Sequence, residues 1–486
     1  MTRRALRMFF SAAAAAGLLS GCAVGPTYHR PPLSPADGYG QVAATPDATA
    51  GAPHLASKLD IPAQWWTLFH DDDLDALVVQ ALSNNPNIAA AQAALRSARE
   101  QVTAQRGAYY PNVGVSVQPS HQSFALDLAS PTQSGKSLYD LTTTQVSVGY
   151  APDLFGANAR AVESLVSQAD QQRFELEAAR LTLASNVVLA AIQDALLRAQ
   201  IEQTQAIIGD QQAVLTSFQR QYQLGQASQA DVAAQQALLA QAQAGLPALT
   251  KALETNSDLL AALVGRTPGE PVTVRFAFDR LSLPDAPPLS LPARLVEHRP
   301  DVRIAEAQLH AASAEVGVAA AARWPNLQID ANAGSAALGL VPAFDRVSNF
   351  WSVAATLTQP VFEGGALLHH QRAAEAAYDQ AAGQYRAAVV VAFQNTADVL
   401  HALQDDAGAL QAAQDAQRAA ANSLRITRRQ LDLGDVSRAA VLAAEQTEGQ
   451  AQLSLLQAQA NRYDDVVALF QALGGGWWNR EGLAKP

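Results

Sequence analysis

Apolar residues alternate with small or polar ones over four short stretches of the chain. Val113, Val115 and Val117 share one face, and Val146, Val148 and Tyr150 share another. Leu327 with Ile329, and Trp351 with Val353, Ala355 and Leu357, repeat the pattern. Period-two alternation predicts strands. Sustained over about ten positions it is also what a strand of a membrane barrel shows; an ordinary soluble hairpin is the competing reading. Four strands per chain cannot close a barrel, so closure needs several chains, and three copies would supply twelve strands.

Elsewhere the pattern is helical. From Ala157 to Leu224 there is no proline and one glycine, Gly209; from Ala366 to Leu433 there is again no proline, with Gly383 and Gly408 inside. A helix of roughly 65 residues is about 100 Å long, a length for which a compact domain has no use. The segments that follow carry a packing seam. Leu246, Leu249, Leu253, Asn256, Leu260 and Leu263 are spaced three, four, three, four, three, the heptad spacing of a coiled coil, with Asn256 able to fix its register. Leu456, Tyr463, Val466, Phe470 and Leu473 lie on the equivalent line later in the chain.

That equivalence extends along the whole chain. Pro86-Asn87-Ile88 matches Pro300-Asp301-Val302, and Tyr110-Pro111-Asn112 matches Trp324-Pro325-Asn326, both at an offset of 214. Pro152 through Phe155-Gly156 answers Pro360 through Phe362-Glu363-Gly364. Arg220 through Leu224-Gly225 and Ser228 answers Arg429 through Leu433-Gly434 and Ser437. Ala262-Leu263 and Gly265 answer Ala472-Leu473 and Gly475. Landmarks in register are the mark of an internal repeat. The domain reading is therefore an export segment (1–21), an N-terminal tether and connecting segment (22–73), a first repeat (74–267), a linker (268–289), a second repeat (290–475) and a tail (476–486). Each repeat is expected to run through a helix of about thirty residues (74–106; 292–322), a Tyr-Pro-Asn or Trp-Pro-Asn stop, a strand pair, a very long helix, a Leu-Gly turn and a return helix.

The N-terminus sets the compartment. Arg3, Arg4 and Arg7 precede an apolar stretch from Met8 to Leu19, too short to span a bilayer and shaped like a secretory leader. Leu19-Ser20-Gly21-Cys22 then has the form of a lipoprotein cleavage box, and Cys22 is the only cysteine in the chain, so no internal disulfide can form. Acyl chains on Cys22 would anchor the protein firmly, at about 0.8 kcal/mol per buried methylene. Ala23 follows, and the absence of Asp there favours the outer membrane. Residues 23–60, rich in Pro, Gly, Ala and Ser, read as a tether.

Composition narrows the function class. Removing residues 1–21 deletes three arginines and no acids, taking the net charge from −11 to −14. A chain this acidic, with scattered charges, argues against nucleic acid as a partner. No nucleophile elbow, phosphate loop or zinc motif occurs, so no enzyme activity is expected, and no cofactor or metal beyond covalent lipid on Cys22. His369-His370 has no matched ligand set around it, and Asp71-Asp72-Asp73 reads as a cap for the helix beginning near Leu74. The candidate sites are the turns between long and return helices. Tyr222, Leu224, Gly225 and Ser228 in the first repeat, and Leu433, Gly434 and Ser437 in the second, read as an exposed docking surface. The glycines would relieve left-handed turn strain and the serines cap the return helices; closing a hairpin is the plainer role for the same residues. Arg220, Arg428, Arg429, Asp432 and Asp435 place both signs of charge beside these turns as candidate gate charges, against the competing reading of a solvated helix end.

Several motifs resemble the outer-membrane factor family, in its lipoprotein branch. Cys22-Ala23-Val24-Gly25-Pro26-Thr27-Tyr28 is similar to the family's lipidated start. Trp65-Trp66-Thr67-Leu68-Phe69 with Asp73-Leu74 resembles the approach to its first helix. Leu246-Pro247 and Leu263-Val264-Gly265-Arg266-Thr267-Pro268-Gly269 resemble the end of its first repeat, Arg299-Pro300-Asp301-Val302-Arg303 the start of its second, and Gly474-Gly475-Gly476-Trp477 its close. The resemblance implies a mixed α/β, mostly α fold. In it, a homotrimeric twelve-stranded outer-membrane β-barrel, four strands per chain, continues into a long periplasmic α-helical coiled-coil barrel. It implies an exit duct of a tripartite efflux system, passive toward small toxic molecules. Its partners would be a periplasmic adaptor protein, an inner-membrane pump of resistance–nodulation–division or major-facilitator type, and outer-membrane lipid. The turns at Gly225 and Gly434 would then form the periplasmic tip. The exit duct of a type I protein-secretion system and a non-transporting envelope lipoprotein are the alternatives. One departure is local: the family often carries Arg and Tyr before the second glycine and a carboxylate nine residues after it, where this chain has Gln430-Leu431-Asp432 and Ala443.

Overall fold

A computed structural model describes residues 23–32, 61–123, 125, 137–283, 297–338 and 348–480; the export segment and Cys22 lie outside these residues. The chain divides into two compact units. One comprises Met1–Pro31, Leu95–Gln172 and Ala305–Tyr385, the other Pro32–Ala94, Arg173–Ile304 and Arg386–Pro486. In chain order the elements are α1 (Asp72–Asn84), α2 (Pro86–Arg106), β1 (Asn112–Ser123), β2 (Leu138–Tyr150), α3 (Ala157–Gln223), α4 (Gln229–Leu263), α5 (Pro300–Ala321), β3 (Asn326–Ala337), β4 (Asn349–Thr358), α6 (Ala366–Leu433) and α7 (Arg438–Ala472).

The first unit holds an antiparallel sheet in the order β1-β2-β3-β4. Its register explains the alternation. Val113 faces Val148 and Val115 faces Val146. Val146 faces Ala333 and Tyr150 faces Ile329, and Ala333 faces Trp351 and Leu327 faces Leu357. The valine sets of β1 and β2, assigned separate faces by the sequence, are thus one apolar face of one sheet. The opposite face carries Ser116 against Gln145, Ser147 against Asn332, and Asn332 against Ser352. Among the described residues nothing covers the apolar face: Val115 is 74% and Trp351 78% exposed. A soluble hairpin would bury such a face; a barrel wall gives it to lipid and its polar face to the lumen.

Both strand pairs are entered and left through the stops seen in the sequence. Trp324, before Pro325, stacks on Phe155 at 5.2 Å. Gly156 takes a left-handed φ of 77°, and Asp153 accepts from the N–H groups of Asn158 and Ala159, capping α3. The start of the described chain packs here as well. Val24 N–H donates to Phe155 O. Gly25, at φ 103°, lies against Gly317 so closely that a Cβ would meet its Cα at 2.5 Å. Tyr28 stacks on His310 at 4.1 Å, and His310 Nε2 is 2.9 Å from Glu163 Oε1. Residues 23–32 are therefore a packed strap, not loose tether, because Gly25 allows the close approach and Tyr28 supplies the ring.

In the second unit the Trp65–Phe69 turn anchors the core. Trp65 stacks on Phe470 at 5.1 Å and meets Phe69 edge-on, and all three are essentially inaccessible. Asp71 caps α1 by accepting from Leu74 N–H. The sequence ran one helix from 74 to 106; the structure breaks it at Asn85, whose backbone is extended. Pro86 clashes with a helical predecessor and so starts a new helix. Asn85 fills the break, accepting from Asn87 N–H and donating to Leu263 O. The long helices are continuous at 67 and 68 residues. On the seam, Asn256 Nδ2 donates to Ala190 O at 2.9 Å, a polar contact that only one register of α4 on α3 satisfies. Gly449 lets α7 approach α3, since a Cβ there would meet Ile207 at 2.8 Å.

Near the end of α7, burial pushes Asp464 up to about 6. Burial, then the neighbouring Asp406 carboxylate, push Asp465 up to about 7, against the pull of Arg462. One Asp465 oxygen is buried without a partner. A carboxyl raised in the folded state contributes stability below its unfolded pKa of about 4, and that contribution is lost as pH rises through the folded value. Thermal unfolding between pH 5 and 8 is expected to show stability falling with pH. Asp465→Asn should flatten that slope and gain on the order of 1 kcal/mol at pH 8, the full shift being reduced by solvent screening.

Candidate functional site

The two turns that join long and return helices are built alike. At the end of α3, Gly225 has φ 72°. Gly225 N–H donates to Tyr222 O at 3.0 Å and Gln226 N–H to Gln221 O at 2.8 Å. At the end of α6, Gly434 has φ 84°, with Gly434 N–H donating to Leu431 O and Asp435 N–H to Gln430 O at 2.9 Å. This is the Schellman arrangement, which satisfies the last carbonyls of a helix and requires a left-handed residue, hence glycine at both places. It leaves the residue before each glycine on the outside. Leu224 is 67% and Leu433 65% exposed, with Tyr222 half-exposed in the turn of Leu224. A large apolar side chain at a solvated turn buries nothing in its own chain.

The return helices begin differently. Ser228 Oγ accepts from Asp231 N–H, while Ser228 N–H donates to Asp231 Oδ2 at 2.9 Å, a reciprocal capping box. These bonds, the one from the Ser228 backbone first, hold the Asp231 carboxyl below the usual range. Ser437 stands at the same place before α7, but its side chain accepts nothing. The expected cap fails because Ala440 stands where Asp231 stands in the first repeat, so no carboxylate holds the serine in place.

The candidate gate charges separate into two groups. Arg220, Arg429, Asp432 and Asp435 are exposed. Arg428, also exposed, donates to Glu445 Oε1 of α7 at 2.9 Å, with the Glu445 side chain 15% exposed. Around this pair lies an open groove of about 360 Å³, with Asp210 from α3, Arg425 from α6 and Glu448 from α7 on its walls. Glu445 was not foreseen in the sequence. It lies two residues past Ala443, where a carboxylate was missed, and the seam that turns it toward α6 was legible only in part.

The chain thus combines a sheet with a lipid-type face, two very long hairpins and paired exposed turns. A profile of outer membrane efflux proteins matches residues 77–266 and 291–475. The chain belongs to the outer membrane efflux protein family. Relatives include the pyoverdine export outer membrane protein OpmQ of Pseudomonas putida, 29% identical over 89% of this chain and 92% of its own. Outer membrane protein OprJ of Pseudomonas aeruginosa is 30% identical, covering 94% of each. The solved outer-membrane channel OprN superposes with a TM-score of 0.83 at 25% identity, over 94% of this chain and all of that one. The efflux protein therefore has the trimeric, two-repeat channel fold expected from its sequence. It is an outer-membrane component of an efflux system that extends into the periplasm.

The two caps give a direct comparison. Ser228→Ala is expected to lose about 1 kcal/mol of protection at the start of α4, and Ser437→Ala to change the start of α7 far less. Amide hydrogen exchange of residues 229–233 and 438–442 measures both. A folded carboxyl held low contributes above its unfolded pKa and loses that contribution as pH falls through the folded value. The protection around Ser228 should therefore persist to about pH 4 and fail below it.

Proposed function

We propose that the efflux protein is a passive duct, not an enzyme, whose periplasmic tip is formed by the turns at Gly225 and Gly434. There it receives a periplasmic adaptor coupled to an inner-membrane pump of resistance–nodulation–division or major-facilitator type, and it passes small toxic molecules outward. The carrying observation is the pair of matched turns. Each presents one exposed leucine on a rigid helix cap, at positions that correspond between repeats. Two such turns per chain give a trimer six equivalent docking points, which suits a partner built of repeated copies. Arg220, Arg429, Asp432 and Asp435 form the charged border of the closed end, and the Arg428–Glu445 pair braces α6 against α7 behind it. Opening would require these border charges to move apart, which salt screening favours. We further infer that Cys22 carries the lipid and no other cofactor is needed: the strap holds Ala23 against Gly156, next to the strand ends.

Leu224→Asp with Leu433→Asp in one chain is expected to leave trimer and membrane insertion intact. Susceptibility to exported compounds should rise several-fold, to the level of a deletion strain. In cells, a photo-crosslinker on a cysteine at Gln226, which leaves the Ser228 cap undisturbed, should recover an adaptor and a proton-driven pump by mass spectrometry. Recovery of an ATP-driven exporter would move the cargo to secreted protein, and a double variant with full resistance would remove the tip from docking.

A further inference from the structure

The apolar face of the sheet ends at a groove. β3 begins at Asn326 and β4 ends at Thr358. The residues just outside those ends, Arg323 and Trp324 on one side and Gln359 on the other, line an open groove of about 550 Å³. Val24 of the strap and Phe155 add apolar wall to it, and Gln371 of α6 a polar one. Here the strands pass into the helices, so the groove stands on the periplasmic side of the apolar face. The pair of that face nearest to it is Leu327 opposite Leu357, with Leu357 64% exposed. Trp324 is half-exposed, and Val361 and Phe362, just past β4, are almost fully exposed. Large aromatic and apolar side chains in such a row mark the level at which a barrel wall meets lipid headgroups.

Of the described residues on the wall, only Arg323 is charged. It is exposed, and its guanidinium donates to Gln371 Oε1 at 2.7 Å. Gln371 is itself oriented by Glu375, which accepts from its Nε2 at 2.9 Å. An amide oxygen thus holds the arginine in place without neutralising it. The neighbouring backbone oxygen is closed off, since Gln359 Nε2 donates to Arg323 O at 3.1 Å. The groove therefore offers one fixed cation next to an apolar strand face. That combination is complementary to a molecule with an anionic head and a hydrocarbon tail, and the planar donor fork of arginine suits phosphate oxygens. We propose that the groove binds a glycerophospholipid of the periplasmic leaflet, one per chain, with its phosphate on Arg323 and an acyl chain along Leu327 and Leu357. The lipid fills the space between the strap, the end of α5 and the end of β4, and so ties three segments together that are distant in sequence.

The probe is phosphatidylglycerol, added to the trimer in mild detergent and counted by native mass spectrometry. Wild type should carry one bound lipid per chain, and Arg323→Gln should lower the bound fraction about fivefold, the contribution of one arginine beside anionic lipid. Arg372→Gln removes an exposed cation of α6 that is not on the wall, and it should leave binding unchanged. An equal loss in both variants reduces the effect to general charge attraction and overturns the site. Glycerol 3-phosphate in large excess should not compete, because it has no acyl chain; displacement by it gives the groove to a free phosphate and overturns the lipid. Acyl chains on Cys22 are the rival occupant, since Val24 on the wall follows that cysteine by two residues. Cys22→Ser behind a cleavable leader should bind phosphatidylglycerol no better than wild type. Binding that appears only once the anchor is removed gives the groove to the protein's own lipid and overturns the proposal. No bound lipid in any form, in material that still runs as a trimer on a native gel, overturns the groove as a site.

Discussion

In the hydrocarbon core of a membrane no water is available to a backbone N–H or C=O, and each must find its partner in protein. A four-stranded sheet meets that demand on its two inner strands and fails on its two outer ones. The apolar face of the sheet, with Val113, Val115, Val146 and Trp351 exposed, commits the strands to lipid. The free edges of β1 and β4 then commit the chain to copies of itself. Oligomerisation is thus not an addition to a finished fold but the condition for this sheet to exist where its side chains send it.

The helical part follows from the same repeat under a different solvent. Helices of 67 and 68 residues are held less by propensity than by the elements they pack against. The seam is small and polar in places. Asn256 bonds Ala190, Gln235 bonds Gln211, and Gly449 admits Ile207. Such contacts select one alignment of helices rather than maximise burial. Aromatic packing is concentrated where the segment before the first repeat meets the end of α7, at Trp65, Phe69, Tyr463 and Phe470. The ends of the long helices, by contrast, keep large side chains exposed at Leu224 and Leu433 on rigid caps. A surface so arranged is suited to a partner that comes and goes, because docking requires no reordering of the turn.

Much of this could be read from the residues. Strand alternation, the two proline-free helical runs and the Leu-Gly turns each depend on local physics: period, breaker and left-handed glycine. What escaped depends on which residues distant in sequence face each other. One period-two pattern cannot say that Val113 and Val148 share a face, since that needs the hairpin register. Arg428 and Glu445 lie 17 residues apart across a turn, and their meeting depends on helix rotation that charge alone does not report. An apolar period that continues past Pro86 predicts one helix where the proline makes two. From sequence the strap at Val24–Tyr28 reads as linker, because Gly and Pro serve close packing and freedom equally well. The repeat itself was legible, but the pairing of β2 with β3 that joins its two copies into one sheet was not.

Three chains together close one barrel through the membrane, and none closes one alone. Single-particle imaging of the purified lipid-embedded protein tests it most directly, by counting strands in cross-section. The expected image is a threefold ring of twelve strands, each chain contributing four consecutive ones. A single chain whose sheet is covered by its own helices, or a ring with another strand count, would contradict it.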